Sequence, residues 1–172
     1  MFRVRTAITE DIESIVKLVE SAYRGDVSRQ GWTTEADLID GQRTDRYEVK
    51  NIIEDDKSLI LLAEEDKQLL GSVHLLNKGD VAYLGMFAVS PERQGAGVGK
   101  SLISYAEKMA HKEWKCCSVE MTVITQRIEL IHWYTKQGYE LTGESRPFPY
   151  GDERYGIPKR DDLILDVLTK VF

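Results

Sequence analysis

The sequence is poor in cysteine: it has only two, and they are neighbours, Cys116 and Cys117. Adjacent cysteines bridge only through an unusual backbone geometry, so a disulfide scaffold is excluded and reduced thiols at a strand start are expected. Basic residues are also in the minority. The 23 Lys and Arg against 29 Asp and Glu leave a net charge of -6, which removes the cationic surface that a nucleic-acid partner requires. No apolar run approaches the ~20 residues that cross a bilayer, and Arg3 and Arg5 place charge at the N-terminus before any apolar run begins. No membrane partner and a cytoplasmic address are expected. What is present is a hydrophobic share of 42% over 172 residues, enough for one compact domain, residues 1–172, with its own core.

Periodicity divides this domain into alternating elements. Phe2–Ile8 alternates as a first strand, and Ile12, Ile15, Val16, Val19, Ala22 and Tyr23 mark one face of a helix over Asp11–Tyr23. Arg24–Gly41 is looser: Thr33 or Thr34 is placed to cap a short helix through Asp37, Leu38 and Ile39, and Asp45–Asp55 predicts another. Ser58–Ala63, Gln68–Leu76 and Val81–Val89 read as an antiparallel meander, turned at Glu65-Asp66-Lys67 and Asn77-Lys78-Gly79-Asp80. A helix ending near Lys112 then leads to a strand at Ser118–Ile124, a crossover that makes this strand parallel to Val81–Val89. Ile128, Leu130, Ile131 and Tyr134 mark a further helix stopped by Gly138, and Tyr139–Thr142 starts another strand. Gly143–Arg160 lacks periodicity and reads as a long loop before a closing strand at Leu163–Leu168.

The strongest chemical signal is Gln94-Gly95-Ala96-Gly97-Val98-Gly99-Lys100, between a strand end and a helix start. Such a run presents backbone N–H groups beside the positive end of a helix, a geometry that binds phosphate. Three phosphate-binding patterns compete for it. The triphosphate loop G-x-x-x-x-G-K-S/T is met at Gly99-Lys100-Ser101 but asks for glycine where Gln94 stands. The dinucleotide pattern G-x-G-x-x-G begins at Gly95 and Gly97 but asks for glycine at Lys100. A pattern of Gln/Arg-x-x-Gly-x-Gly/Ala fits throughout, as Gln94, Gly97 and Gly99 after the strand end Phe87-Ala88-Val89.

With the second motif Trp133-Tyr134-Thr135-Lys136-Gln137-Gly138-Tyr139, this run resembles the GNAT superfamily of N-acetyltransferases, and the order of elements agrees from residue 2 to about residue 168. The resemblance implies a mixed α/β (α+β) fold: a mostly antiparallel sheet of about seven strands with a central parallel pair, flanked by about four helices. It implies transfer of an acetyl group from acetyl-CoA to a primary amine, on a small molecule, an amino acid-like compound or a peptide, by direct attack in a ternary complex, with no metal. A non-catalytic acyl-CoA-binding module of the same fold is the alternative, and a homodimer is compatible with either.

The resemblance also implies roles. The backbone of Phe87, Ala88 and Val89 would meet the pantetheine arm and polarise the acetyl carbonyl, and the amides of Gln94, Gly95, Ala96, Gly97, Val98, Gly99 and Lys100 would hold the pyrophosphate. Tyr134 stands at the position of the general acid that protonates the departing thiolate, although a tyrosine sharing a helical face with Leu130 and Ile131 also suits a core. Relatives with a glutamate on the strand before the loop use it as base, but Tyr83-Leu84-Gly85-Met86-Phe87 has no carboxylate, leaving Glu120, His74 or a water relay. Arg127 stands where many relatives have asparagine, free to pair with a phosphate or to sit in solvent. Trp32, Thr33, Thr34, Glu35 and Arg43, with Arg146, Phe148, Tyr150, Asp152 and Arg154, are the residues expected at the acceptor end, either lining a pocket or anchoring their loops. Among them an exposed Glu35 would attract an ammonium group and the arginines would grip a carboxylate, which suits an amino acid or a similar small amine.

Overall fold

A computed structural model describes residues 1–172. Nine strands and five α-helices follow one another along the chain: β1 (Arg3–Thr6), α1 (Ile12–Tyr23), α2 (Gly25–Ser28), β2 (Ile39–Asp40), α3 (Arg46–Glu54), β3 (Ser58–Glu65), β4 (Gln68–Asn77), β5 (Val81–Val89), α4 (Val98–Lys108), β6 (Ser118–Ile124), α5 (Ile128–Lys136), β7 (Glu140–Pro147), β8 (Ile157–Pro158) and β9 (Ile164–Val171). Seven strands form one sheet in the order β1-β3-β4-β5-β6-β9-β7. Every neighbour pair is antiparallel except β5–β6, because α4 carries the chain back across the sheet before β6 begins.

Both faces of the sheet are covered. Along β3, Leu61 and Ala63 join a core with Leu102 and Ile103 of α4 and Leu130 of α5. Ile60 and Leu62, pointing the other way, join Ile15, Val19 and Ala22 of α1 and Val49 of α3. This is the period-two consequence of a strand buried on both sides, and it explains why β3 reads as an unbroken apolar run. Asp45 begins α3 as its cap, its carboxylate accepting the Glu48 N–H at 2.8 Å.

One strand breaks that period. On β5, Ala82 and Leu84 belong to the α4-side core, whereas Met86 and Ala88 belong to the α1-side core. Residues 82, 84, 86 and 88 would share one face of a regular strand. Here the register against β4 slips between Ser72 and His74, and Met86 sits at φ 44°. The extra residue is a β-bulge, and it reverses which face each later side chain meets. Phe87 and Val89 thereby turn to the α4 and α5 side.

The expected helix through Asp37, Leu38 and Ile39 is not formed. Helix lies earlier, at α2, and Ile39–Asp40 is strand, paired antiparallel with Ile157–Pro158. Burial decides the matter: Ile39 packs with Ile124, Phe148 and Leu163 in a small core of its own, which overrides the local capping signal. The same pairing corrects the reading of Gly143–Arg160 as a structureless loop. Its first residues extend β7 to Pro147 and its later ones form β8, so the two segments expected at the acceptor end are fastened to each other.

Candidate active site

The parallel strands β5 and β6 pair only from Val81 to Tyr83 and from Ser118 to Glu120. Beyond Tyr83 the bulge bends β5 away and a split opens between them. An inner chamber of about 210 Å³ lies in the split, walled by Leu84–Phe87 of β5 and Met121–Ile124 of β6. It shares Phe87, Leu130 and Tyr134 with a groove of about 410 Å³ that runs to the glycine loop. On its other side it shares Arg43, Tyr83 and Tyr155 with an outer chamber of about 560 Å³ beside α3.

The groove ends at the glycine loop, whose outward amides suit a phosphate. Of the N–H groups from Gln94 to Lys100, only that of Ala96 has a protein acceptor, the Arg93 carbonyl at 3.3 Å. The other six point to no partner, and the last three are the unsatisfied donors of the first turn of α4. Gly95 and Gly97 sit at φ 86° and 84°, which turns these amides outward and which only glycine adopts without strain. A Cβ on Gly99 would stand 3.2 Å from the Phe87 ring, so glycine there lets the helix start close on β5. Lys100, exposed at the rim, pairs with no carboxylate.

Where groove and inner chamber meet, two tyrosine hydroxyls face the split. The Tyr23 hydroxyl donates to the carbonyl of Phe87. The Tyr134 hydroxyl donates to nothing, although Tyr134 is only 4% exposed and packed among Phe87, Trp133 and Tyr139. Burial pushes its pKa well above the ordinary phenol value, with the nearby Arg127 guanidinium pulling the other way. It therefore stays protonated across the working pH range.

Charge in the inner chamber is set by one carboxylate among three guanidinium groups. Glu35 accepts from Arg24 at 2.8 Å and from Arg127 at 2.9 Å, and all three side chains are buried. Burial alone would raise the Glu35 carboxyl, but Arg127 and Arg24, with Arg43 behind them, outweigh it and hold the group below the usual carboxylate range. Arg127 also donates to the carbonyl of Thr33.

Residues 15–139 match the model of the acetyltransferase (GNAT) family. The chain belongs to the GNAT acetyltransferase family. Solved structures share its fold: the ribosomal-protein-S18-alanine N-acetyltransferase of Escherichia coli at a TM-score of 0.73 and 13% identity, covering 99% of this chain and 94% of that one. The PaiA N-acetyltransferase of Thermoplasma acidophilum, in complex with coenzyme A, gives 0.71 and 18% over 100% and 99%. An acetyltransferase of Bacillus anthracis in complex with acetyl coenzyme A gives 0.60 and 22% over 72% and 67%. No curated protein sequence matches.

As a GNAT acetyltransferase the chain uses acetyl-CoA as donor, and the residues present suit that molecule: free amides, an unpaired lysine and a groove leading to the split. Several side chains stand elsewhere than expected from sequence. Glu120 lines none of the three chambers; it is held at 2.7 Å by Lys78 and at 3.3 Å by Arg146, which keep its carboxyl low against the upward push of burial. His74 lines the outer chamber, hydrogen-bonded to Ser58 at 3.1 Å, and burial lowers its pKa to about 4, so it is neutral. Arg127 neither sits in solvent nor stands free for a phosphate, and Glu35 is not an exposed lure for ammonium, because the two are spent on each other. Trp32 lines the donor groove against Trp133, while Phe148 walls the inner chamber.

Two functional contacts had no sequence signal. The carbonyls of Phe87 and Val89 accept from the Tyr23 hydroxyl and the Gln94 side chain, which fastens α1 and the glycine loop to this end of β5. Gln94 also accepts the Trp32 N–H at 2.8 Å and donates to Thr33 at 2.8 Å, so the residue that opens the cradle clamps the early loop over the groove.

Proposed function

We propose that residues 1–172 act as one catalytic domain that transfers acetyl from acetyl-CoA to a primary amine by direct attack in a ternary complex. The observation that carries this reading is the unpaired Tyr134 hydroxyl, held protonated on the wall common to the donor groove and the inner chamber. Bound acetyl-CoA supplies a thioester and, on transfer, a thiolate that needs a proton.

The chain's own groups divide the remaining work. The amides of Gln94, Gly95, Gly97, Val98, Gly99 and Lys100 bind the pyrophosphate, a fit supported by their lack of protein acceptors. Phe87 offers its N–H to the developing oxyanion, since its carbonyl already faces the split. Tyr134 gives its proton to the leaving sulfur. No free carboxylate stands in the inner chamber to serve as base. The excess of guanidinium groups there instead lowers the pKa of an arriving ammonium, and its proton passes to water, which carries it through the outer chamber past Glu48 and His74. The free thiols Cys116 and Cys117 suit a reducing, cytoplasmic setting.

A panel of primary amines, followed by release of free CoA thiol, tests the reading. Turnover with at least one amine and none without amine is expected. Stabilisation of the protein by neither CoA nor acetyl-CoA in a thermal-shift measurement would sink it.

A further inference from the structure

Every arginine in the chain but one lies within ion-pair distance of a carboxylate. The exception is Arg43, whose guanidinium makes no hydrogen bond to the protein either; it rests on the face of the Tyr23 ring at 5.6 Å. Surface position does not account for this. Arg43 is half-buried at the constriction between the inner and outer chambers and lines both. A desolvated cation without a partner is costly, and a cation–π contact returns only part of that cost.

The group is also held ready. The backbone N–H groups of Arg43 and Thr44 both donate to Glu20, at 2.7 and 2.8 Å, and the next residue is the cap of α3. The carboxylates nearby are engaged otherwise: Glu35 by Arg24 and Arg127, Glu48 by the Thr44 hydroxyl, Asp45 by the Glu48 N–H. Arg43 does not line the donor groove, so the phosphates of the donor are not its partner. What can reach it is the acceptor.

We propose that Arg43 recognises a carboxylate on the acceptor, so that the substrate is an amino acid or a similar small amine carrying a carboxylate near its nitrogen. This rests on the reading of the inner chamber as the place where amine meets donor. A guanidinium fork matches a carboxylate with two parallel hydrogen bonds. The chamber's charge agrees: the only acid lining it, Glu35, is outnumbered by Arg24, Arg43 and Arg127. A polyamine would add positive charge there, whereas an amino acid brings the missing anion.

The test compares matched pairs, each common amino acid against its decarboxylated amine, for the wild type and for Arg43→Gln and Arg43→Lys. The wild type is expected to favour the acid over the amine by about tenfold or more in kcat/KM. In Arg43→Gln that ratio should fall towards one while the thermal shift with CoA persists, and Arg43→Lys should lie between. A wild-type preference for decarboxylated amines or polyamines overturns the proposal, as does a ratio unchanged in Arg43→Gln. If no amine is turned over, the transfer reading fails by itself. Calorimetric titration of the CoA-loaded protein with the same amino acids then decides the matter for Arg43: binding lost in Arg43→Gln supports its role, and no binding to wild type refutes it.

Discussion

Tyr134→Phe separates a catalytic hydroxyl from a core tyrosine, because phenylalanine keeps the packing that a core role needs and removes the proton that a catalytic role needs. The ring is packed against Phe87, Trp133 and Tyr139, and phenylalanine keeps that packing. The hydroxyl makes no hydrogen bond to the protein and opens on the chamber, so its removal deletes no protein interaction. A tyrosine kept for structure would therefore lose nothing on substitution, and unfolding in urea is expected to show the variant unchanged within about 1 kcal/mol. The rate behaves otherwise if this hydroxyl protonates the thiolate. Loss of a positioned general acid costs about 10²- to 10⁴-fold, or about 3–5.5 kcal/mol of barrier, and the cost falls on kcat because the hydroxyl holds no ground-state contact that the structure records. Burial already keeps the group protonated, so the wild-type rate should show no fall from phenol ionisation between pH 7 and 9. Steady-state kinetics of thiol release, with KM for acetyl-CoA followed in parallel, is the assay. A variant retaining more than about a third of wild-type kcat would refute the acid role and leave Tyr134 to the core.

Three further perturbations test other parts of the structure. Glu35→Gln leaves Arg24 and Arg127 buried without their counter-charge and should destabilise the fold by about 3–5 kcal/mol in urea unfolding. Because the Glu35 carboxyl is lowered in the folded state, its contribution is present above the ordinary carboxylate value and is lost as pH falls through the folded one; the gap between wild type and variant should hold near neutrality and narrow below about pH 4. Gly97→Ala forces a Cβ onto a residue at φ 84° and should cost about 1 kcal/mol of stability and weaken CoA binding measured by thermal shift. Lys67→Gly relieves a left-handed lysine at φ 66° in the β3–β4 hairpin and should raise the melting temperature by about 2–4 °C, with no change in KM for acetyl-CoA.

The form of the glycine loop was legible because it is built from short-range geometry. A strand end, glycines at fixed spacing and a helix start lie within one stretch of chain, and their conformational demands are written in residue type. The surroundings of Glu120, Glu35 and Arg127 were not legible, for the opposite reason. Whether a glutamate is a base, an ammonium lure or half of a buried pair depends on which cation the fold brings beside it, and Arg127 meets Glu35 across 92 positions of sequence. The β2–β8 pairing was hidden in the same way: two residues on each side are too short for any periodicity, and only the packing of Ile39 and Phe148 into one small core reveals it.

The bulge at Met86 ties these halves together. Without the extra residue, Phe87 and Val89 would face α1, and the side chains that now meet the α1-side core would face the donor groove. With it, β5 bends from β6, the Phe87 amide edge turns into the split, and the ring of Phe87 seats against Gly99 at the start of α4. The alternation of buried and half-buried residues from Val81 to Val89 continues unbroken through the bulge, because both faces of the sheet are covered and a reversed side chain finds a core on either side. A doubly covered strand can thus change face without changing its hydrophobic pattern, which is why the feature that opens the active site leaves no mark in the sequence.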